Sequence, residues 1–355
     1  MKKVLVFLLI IFAFIITIDV NASCCEIVLD ADSGRIIYEK NANEKHLIAS
    51  TTKIMTALVV LNNVNVDDIV TVGDEVLKAY GSAIYIKPGE KLSVLDLLYG
   101  LMLRSGNDAA LALSVYVGGS VETFAGMMND TARSIGMKDS IFYNPHGLDE
   151  ETKNMSTVFD MALLMREAMK NDTFRQITGT KKYSLKTNFN NYLWINKNKL
   201  LSAYEYATGG KIGYTVAARH TFVSSASKDG KNLIVASFID DNQFVNHKNL
   251  YEKYFDIYNN YNLIDKNNLK INYKKGYRIF TLESFNMLLK NSELDKVNRE
   301  VILYEDAKVG QGARVVGTIA IELDGKIYKK MNIYAESTFK EPTGLFAWFK
   351  RLFKW

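Results

Sequence analysis

Runs of apolar residues follow one another along the chain in an order that predicts a sheet covered by helices. Glu26–Leu29 and Arg35–Tyr38 are β-prone, flank a turn rich in Asp, Ser and Gly, and predict a hairpin. Helical spacing dominates the middle of the chain, and three β-prone runs follow between residues 209 and 239. Because strands lie at both ends with helices between them, we expect an α+β fold with an antiparallel sheet covered by helices.

The helices of the middle region differ in how far their apolar residues extend around the axis. Ile54–Leu61 is apolar on all sides and predicts a buried helix. Ser93, followed three residues later by Asp96, has the spacing of a capping box at a helix start. Further helices are predicted at Asp108–Val117, Thr123–Ile135, Thr157–Met169 and His247–Tyr261.

The two ends of the chain carry different patterns. Residues 262–338 show mainly strand patterns with glycine turns, apart from a helical pattern at Leu282–Leu289, and predict a small β-rich domain. Residues 339–355 predict a basic amphipathic helix with aromatic residues on one face, which suits a membrane surface; packing against the protein's own body is the alternative. Residues 1–22 have the positive start, apolar run and small residues of an export signal, with an uncleaved anchor as the alternative. The main domain is then residues 23–261.

Composition and charge narrow the function classes. The chain is 48% hydrophobic with a net charge of +5 and no basic block, so we expect no nucleic-acid partner. Its two cysteines, Cys24 and Cys25, are adjacent, and we expect no disulfide, no Cys-His catalysis and no cysteine metal site; lipid attachment at Cys24 stays open. His46 and His247 form no helical metal pair, so we predict no zinc.

The motif Ser-x-x-Lys occurs three times, and its context separates the copies. Ser225 lies in a predicted strand, where positions three apart face opposite ways, and Ser337 lies in a polar linker. Only Ser50 begins a buried helix, so that Lys53 lies one turn away on the same face. A lysine whose pKa is lowered by burial and by neighbouring cations could accept the serine proton. In the alternative interpretation, Ser50 only caps the helix and Lys53 is an ordinary charged side chain in solvent.

Two further motifs follow in chain order. Ser105-x-Asn107 falls between two predicted helices, and Lys211-x-Gly213 falls on the first strand of the C-terminal run. Each is weak alone, but penicillin-recognising serine enzymes carry this trio on a helix start, an inter-helix loop and a strand.

With these residues in view, the sequence resembles the low-molecular-mass penicillin-binding proteins of the D-alanyl-D-alanine carboxypeptidase family. The resemblance extends to Lys87-Pro88-Gly89-Glu90, Asn144-Pro145-His146-Gly147-Leu148 and the segment from Asn196 to Leu201, and covers residues 25 to 260. It implies an exported enzyme at the outer face of the cytoplasmic membrane, with residues 23–261 as its catalytic domain. Its partners would be peptidoglycan stem peptides ending in D-Ala-D-Ala and β-lactam antibiotics, and it would need no cofactor.

The resemblance also implies residue roles. Ser50 would attack the carbonyl between the two D-alanines while Lys53 takes its proton, and Ser105 would pass a proton to the leaving D-alanine. The backbone N–H groups of Ser50 and Tyr214 would form the oxyanion hole. Asn107 would orient the peptide. Lys211, on the strand with Gly213, would attract the carboxylate. Apart from the resemblance, Lys197 or Arg219 could compensate if a contact to this carboxylate is missing.

One position departs from the family pattern. Lys211-Ile212-Gly213 stands where the family usually has Lys-Thr-Gly, and isoleucine cannot donate the threonine's hydrogen bond. Its loss costs about 1.5–3 kcal/mol if nothing replaces it. A non-catalytic penicillin or peptidoglycan sensor is therefore one alternative. A β-lactamase-like hydrolase is another, since Glu150-x-x-x-Asn154 has suitable spacing for its water-activating carboxylate.

Overall fold

The computed structural model describes residues 23–304 and 312–337. The chain forms two compact units: the first contains the residues up to Leu29 with Ile36–Ser227 and Leu233–Glu252, and the second contains Asp30–Arg35, Lys228–Asn232 and the chain from Lys253 onward. The predicted division at residues 261 and 262 stays a prediction. The predicted export signal and the predicted amphipathic helix lie outside the described residues.

The elements follow the predicted order of strands, helices and strands. The helices are α1 Lys53–Asn63, α2 Val94–Leu103, α3 Asn107–Gly118, α4 Val121–Ser134, α5 Val158–Ala168, α6 Asp172–Gly179, α7 Leu200–Ala203 and α8 Gln243–Ile257. The strands are β1 Cys25–Asp30, β2 Ile36–Lys40, β3 His46–Leu47, β4 Ile69–Thr71, β5 Lys91–Ser93, β6 Met155–Ser156, β7 Lys182–Lys186, β8 Asn191–Ile195, β9 Ala207–Thr215, β10 Arg219–Lys228, β11 Lys231–Phe238, β12 Asn259–Ile264, β13 Tyr277–Phe280, β14 Phe285–Leu289, β15 Val297–Leu303, β16 Arg314–Leu323 and β17 Lys326–Ser337. Short 3₁₀ turns cover Ala49–Thr52, Asp74–Lys78 and Asn291–Lys296.

A five-stranded sheet forms the framework of the first unit. Its strand order is β2-β1-β11-β10-β9, and the pairs β1–β2 and β9–β10 are antiparallel. The hairpin predicted at the start of the chain is β1 and β2, and the three predicted C-terminal strands are β9, β10 and β11. Strand β9 lies at the end of the order, so one of its long sides has no strand neighbour in the sheet.

Helix α1 is the central helix of the first unit. Eight consecutive residues from Lys53 to Val60 are buried, and α1 packs against α2, α3, α4, α5 and α6. Such all-round burial is what the apolar run after Ser50 predicts. The capping box at Ser93 is present as predicted, because the Asp96 amide donates to Ser93 Oγ at 3.0 Å and the Ser93 amide donates to Asp96 Oδ2 at 3.1 Å.

The second unit is rich in strands. Its four-stranded sheet has the order β13-β17-β16-β15, and β12 pairs with β14. The helical pattern predicted at Leu282–Leu289 is wrong, since Phe285–Leu289 is strand β14. Short apolar runs do not distinguish helix from strand by period alone. Here the antiparallel pairing with β12 makes the segment a strand, and Phe285, Met287 and Leu289 lie in the core of this unit.

Helix α8 also differs from its prediction at both ends. The predicted helix spans His247–Tyr261, whereas α8 begins at Gln243 and ends at Ile257. Asn259 and Asn260 instead open strand β12, since asparagine is a poor residue for a helix interior. No single helix in residues 23–304 or 312–337 is long and apolar enough to cross a membrane; α3 and α4 reach that length and apolarity only together, across a bend of 84°.

Candidate active site

Ser50 lies in the turn that leads into α1. Ala49–Thr52 is a 3₁₀ turn, and the α-helix begins at Lys53, so Ser50 and Lys53 are one turn apart as predicted. Lys53 Nζ lies within hydrogen-bond distance of Ser50 Oγ, at 3.0 Å, while the Ser50 hydroxyl lies 3.5 Å from the His146 carbonyl oxygen. The amine is therefore within reach of the serine proton.

The environment of Lys53 favours its neutral form. Its side chain is fully buried, and Nζ also donates to Asn107 Oδ1 and to the His146 carbonyl oxygen, each at 2.7 Å. Burial holds the pKa of Lys53 well below its usual value, and the charges of Lys211 and Lys197 lower it further. These are the two causes on which the sequence-based hypothesis of a lysine base depends.

The loop between α2 and α3 carries Ser105 and Asn107. Ser105 has a positive φ of 63° and is 4% exposed, and its hydroxyl has no hydrogen-bond partner among the described residues. A buried hydroxyl without a partner costs free energy and is available to a substrate atom. Asn107 begins α3, and its Nδ2 donates to the Tyr80 carbonyl oxygen at 2.6 Å, which fixes the amide so that Oδ1 faces Lys53.

Asp108 organises the segment opposite this loop, a role that the sequence analysis missed. Its buried carboxylate accepts the backbone amides of Ile84 at 3.0 Å, Tyr85 at 2.7 Å and Ile86 at 3.3 Å. The Asn107 amide also donates to the Ser82 carbonyl oxygen at 2.7 Å. The only sequence signal is an acid in the first turn of α3, which is also typical of ordinary helix starts.

Strand β9 brings Lys211 and Gly213 to the nucleophile. Lys211 is 2% exposed and donates to the Ile212 carbonyl oxygen at 2.8 Å. Burial lowers the pKa of Lys211 to about 7, with a smaller contribution from Lys197. A Cβ on Gly213 would lie 2.5 Å from Thr221 Oγ1 and 2.9 Å from the Ser50 amide nitrogen, so only glycine fits without displacement.

Ile212 and Tyr214 alternate with these residues and are more exposed. Ile212 is half-buried, and Tyr214 is 53% exposed with its ring 4.7 Å from the His220 ring. His220 is thus associated with the sheet. The predicted oxyanion role of the Tyr214 amide stays a prediction, although the adjacent Gly213 closely approaches the Ser50 amide.

Lys197 lies on the segment that follows β8. Its Nζ donates to Ser82 Oγ at 3.0 Å, and its amide donates to the Leu103 carbonyl oxygen at 3.0 Å. Burial lowers the pKa of Lys197, and the charge of Arg104 lowers it further. Lys53, Lys197 and Lys211 therefore form a group of amines at one site, in which Lys197 disfavours the charge of Lys211 and both disfavour the charge of Lys53.

The Asn-Pro-His-Gly turn supports the nucleophile through its backbone. A Cβ on Gly147, whose φ is +86°, would lie 1.8 Å from the Ala49 carbonyl oxygen, so this turn and the Ser50 turn touch directly. Thr56 Oγ1 donates to the Pro145 carbonyl oxygen at 2.6 Å. His146 contributes its carbonyl to Lys53, while burial lowers the pKa of its imidazole to about 3. The imidazole accepts the Leu148 amide at 3.1 Å, so these contacts of His146 are structural.

The two residues of the β-lactamase-like spacing have different surroundings. Asn154 is buried and accepts the Tyr143 amide at 2.7 Å, while its own amide donates to the Asn144 carbonyl oxygen at 2.8 Å. Glu150 is exposed; burial raises the pKa of Tyr80 to about 12, with a further contribution from its hydrogen bond to Glu150. Asn154 is thus part of the turn's own hydrogen-bond network.

The other two Ser-x-x-Lys copies have different surroundings. Ser225 lies within β10, as predicted, and its hydroxyl is 2.8 Å from Thr208 Oγ1. Ser337 is the last residue of β17 rather than part of a linker, because β17 continues its pairing with β13 to that point. Neither serine begins a helix.

Comparison with known proteins identifies the family of this chain. A model of the D-alanyl-D-alanine carboxypeptidase family matches residues 17–242. The chain belongs to that family. It is 30% identical over 342 residues to D-alanyl-D-alanine carboxypeptidase DacF of Bacillus subtilis, and the match covers 92% of this chain and 87% of that protein. The predicted family and the predicted function of a serine-type D-Ala-D-Ala carboxypeptidase are confirmed.

Solved structures extend the likeness to the fold. A D-alanyl-D-alanine carboxypeptidase from Mycobacterium tuberculosis H37Rv matches with a TM-score of 0.64 at 32% identity, covering 66% of this chain and 92% of that one. Penicillin-binding protein 5 from Haemophilus influenzae matches with a TM-score of 0.73 and covers 89% of this chain and 97% of that one. Its identity is 24%, so this second likeness is one of fold. The predicted fold class is confirmed for the described residues.

Proposed function

We propose that this D-alanyl-D-alanine carboxypeptidase uses Ser50 as its nucleophile and Lys53 as the base that activates it. The observation that carries the proposal is the 3.0 Å contact between Lys53 Nζ and Ser50 Oγ, made by a lysine that is wholly buried and whose pKa is lowered. A neutral amine at this distance accepts the serine proton as the hydroxyl attacks.

The reaction has two steps. Ser50 Oγ attacks the carbonyl carbon of the penultimate D-alanine, and the amides of Ser50 and Tyr214 stabilise the resulting oxyanion. The C–N bond then breaks as the proton held by Lys53 is relayed through the Ser105 hydroxyl to the departing D-alanine nitrogen, and the peptide remains as an ester on Ser50. Water hydrolyses this ester and restores the serine. The unpartnered Ser105 hydroxyl supports the proton-transfer role.

Substrate recognition depends on the cations at the site. Lys211, aided by Lys197, attracts the terminal carboxylate, while Asn107 orients the peptide. Peptidoglycan stem peptides ending in D-Ala-D-Ala present this carboxylate, and β-lactams present a carboxylate beside a strained amide. Ile212 supplies no hydroxyl for the same carboxylate, so Lys211 carries more of the recognition.

The test measures D-alanine release from a soluble peptide ending in D-Ala-D-Ala, together with labelling by a fluorescent penicillin. Ser50→Ala should abolish both, because the attacking oxygen is gone. Ser225→Ala, in another Ser-x-x-Lys copy, is the matched control and should keep both. Penicillin labelling of a folded Ser50→Ala protein at the active site would refute the assignment. Rapid release of hydrolysed penicillin would favour the β-lactamase alternative, and labelling without D-alanine release would favour the sensor.

We also propose that the enzyme is exported and held at the outer surface of the cytoplasmic membrane. One support is that peptidoglycan, the substrate of the family, lies outside the cytoplasm. The other is the sequence of residues 1–22 and 339–355, two segments that lie outside the described residues. Deleting residues 342–355 should release the mature protein from membranes while its activity on a soluble peptide is kept. Continued sedimentation with membranes would contradict the anchor.

A further inference from the structure

Four side chains with metal-binding atoms meet near the start of the described chain. They are Cys24, Cys25, Glu44 and His46, and their ligand atoms all lie within 4.8 Å of one another. Cys25 is the first residue of β1, His46 is the first residue of β3, and Glu44 lies between β2 and β3. We call these four residues the thiol–imidazole cluster. It belongs entirely to the first unit and shares no residue with the proposed active site.

The distances within the cluster suit one small ion. His46 Nε2 lies 3.6 Å from Cys24 Sγ, 3.3 Å from Cys25 Sγ and 3.6 Å from Glu44 Oε2, and the Cys25 and Glu44 ligand atoms are 3.8 Å apart. A tetrahedral zinc ion with ordinary bond lengths separates its ligand atoms by about 3.3–3.8 Å. The two sulfur atoms are closer, at 2.9 Å, and would separate by less than about 1 Å on binding.

The backbone around the cluster is held by hydrogen bonds. The Cys24 amide donates to the Phe238 carbonyl oxygen at 3.2 Å, and Asn41 Nδ2 donates to the Cys24 carbonyl oxygen at 3.0 Å. The His46 ring packs edge-on against Phe238 with the ring centres 6.0 Å apart. Cys25 is fully buried, whereas the Glu44 side chain is 56% exposed, so an ion could enter from the solvent on the glutamate side.

The chemistry of the ligands selects the ion. Two thiolates and an imidazole favour zinc over magnesium or calcium, which prefer oxygen ligands. A disulfide is the competing arrangement, but adjacent Cα atoms are only about 3.8 Å apart, shorter than disulfide geometry prefers.

We propose that the thiol–imidazole cluster binds one Zn²⁺ ion as a structural site, with Cys24, Cys25 and His46 as firm ligands and Glu44 or water completing the tetrahedron. From the sequence we expected no such site, because the two cysteines are adjacent and His46 and His247 form no helical metal pair; the fold brings the four side chains together from two separate segments. His46 lies four residues before Ser50, so the ion would tie the first strand to the segment that carries the nucleophile.

The test uses the purified full-length protein, stripped with a chelator and titrated with Zn²⁺ or Co²⁺. We expect one equivalent to bind, Co²⁺ to give tetrahedral ligand-field bands with thiolate charge transfer, and Zn²⁺ to raise Tm. Cys24→Ser and His46→Gln should lose the charge-transfer intensity or weaken binding at least tenfold. Glu39→Gln changes an exposed acid outside the cluster and is the control that should bind like the unaltered protein.

Three results would overturn the proposal. The first is no retained metal and no Co²⁺ bands in a protein with two free thiols. The second is a mass that shows a Cys24–Cys25 disulfide or an acylated Cys24 in protein isolated from cells. The third is an unchanged Co²⁺ spectrum in Cys24→Ser. Because Cys24 is only half-buried, this variant tests the site even if replacement of buried Cys25 prevents folding.

Discussion

Gly213→Ala tests how closely β9 must approach the nucleophile. The new methyl group would lie 2.5 Å from Thr221 Oγ1 and 2.9 Å from the Ser50 amide nitrogen. Neither neighbour moves freely, because Thr221 Oγ1 donates to the Ile48 carbonyl oxygen at 3.0 Å and the Ser50 amide is backbone. The clash therefore has to separate β9 from the Ser50 turn.

The size of the effect follows from overpacking. Forcing one extra methyl group into a packed site costs about 1–3 kcal/mol. If this strain is relieved by moving the Ser50 amide away from the oxyanion position, the acylation rate falls by a factor of roughly 5–150. We expect the second-order rate constant for penicillin acylation to fall at least about fivefold, and Tm to fall as well. Stopped-flow or gel-based labelling and a thermal melt give the two values.

Gly126→Ala is the matched control. Gly126 lies in α4, and a Cβ there has no neighbouring atom within 4 Å. Alanine has a better helix propensity than glycine by about 1 kcal/mol, so Tm should stay equal or rise while acylation is unchanged. A Gly213→Ala protein that is acylated at the unaltered rate would refute the reasoning, even if its Tm fell, because the strain would then be relieved without displacing Ser50.

Three further substitutions test the charges and the recognition of the carboxylate. Lys211→Arg should move the alkaline decline of kcat/KM from about pH 7 to higher pH, because Lys211 loses its charge as pH rises through its lowered pKa while arginine stays charged. Ile212→Thr should raise kcat/KM for a D-Ala-D-Ala peptide about tenfold or more, since a hydrogen bond to a charged group contributes about 1.5–3 kcal/mol. Asp108→Asn should lower Tm, because its carboxylate accepts several backbone amides, and should move the acid limb of penicillin acylation to lower pH. The lost negative charge had raised the pKa of Lys53, so its removal lowers that pKa further.

Each of these predictions has a contrary outcome. If the alkaline decline of kcat/KM stays at the same pH in Lys211→Arg, this decline is due to a group other than Lys211. Ile212→Val keeps the branched shape without the hydroxyl and should show no gain; an equal gain in both variants would point to side-chain size instead. An acid limb that does not move in Asp108→Asn, measured on protein shown to be folded, would separate this limb from Lys53.

The sequence predicts the elements where pattern and chemistry agree. The apolar run after Ser50 predicts both the buried helix and the lowered pKa of Lys53, and the serine–aspartate spacing predicts the start of α2. The sequence does not predict an element whose type depends on strand pairing. The apolar run Phe285–Leu289 is equally compatible with a helix, and only its pairing with β12 makes it a strand.

The parts of the site that could not be predicted from the sequence depend on contacts between segments that are far apart in the chain. Asp108 looks like an ordinary first-turn acid until Ile84 and Tyr85 turn their amides toward it. The carbonyl oxygen of His146 contributes to the site through the backbone, which side-chain chemistry in the sequence does not report. The thiol–imidazole cluster joins cysteines to a histidine about twenty residues away, outside any spacing rule for zinc.

The three acceptors around Lys53 have a stereochemical consequence. A neutral amine has two hydrogens and one lone pair arranged as a tetrahedron. Asn107 Oδ1 and the His146 carbonyl oxygen can only accept, so each holds one hydrogen, at 2.7 Å. The lone pair is then left facing the third partner, the Ser50 hydroxyl at 3.0 Å. The site thus sets the direction of proton transfer before any substrate arrives, and the protonated amine finds an acceptor for each of its three hydrogens.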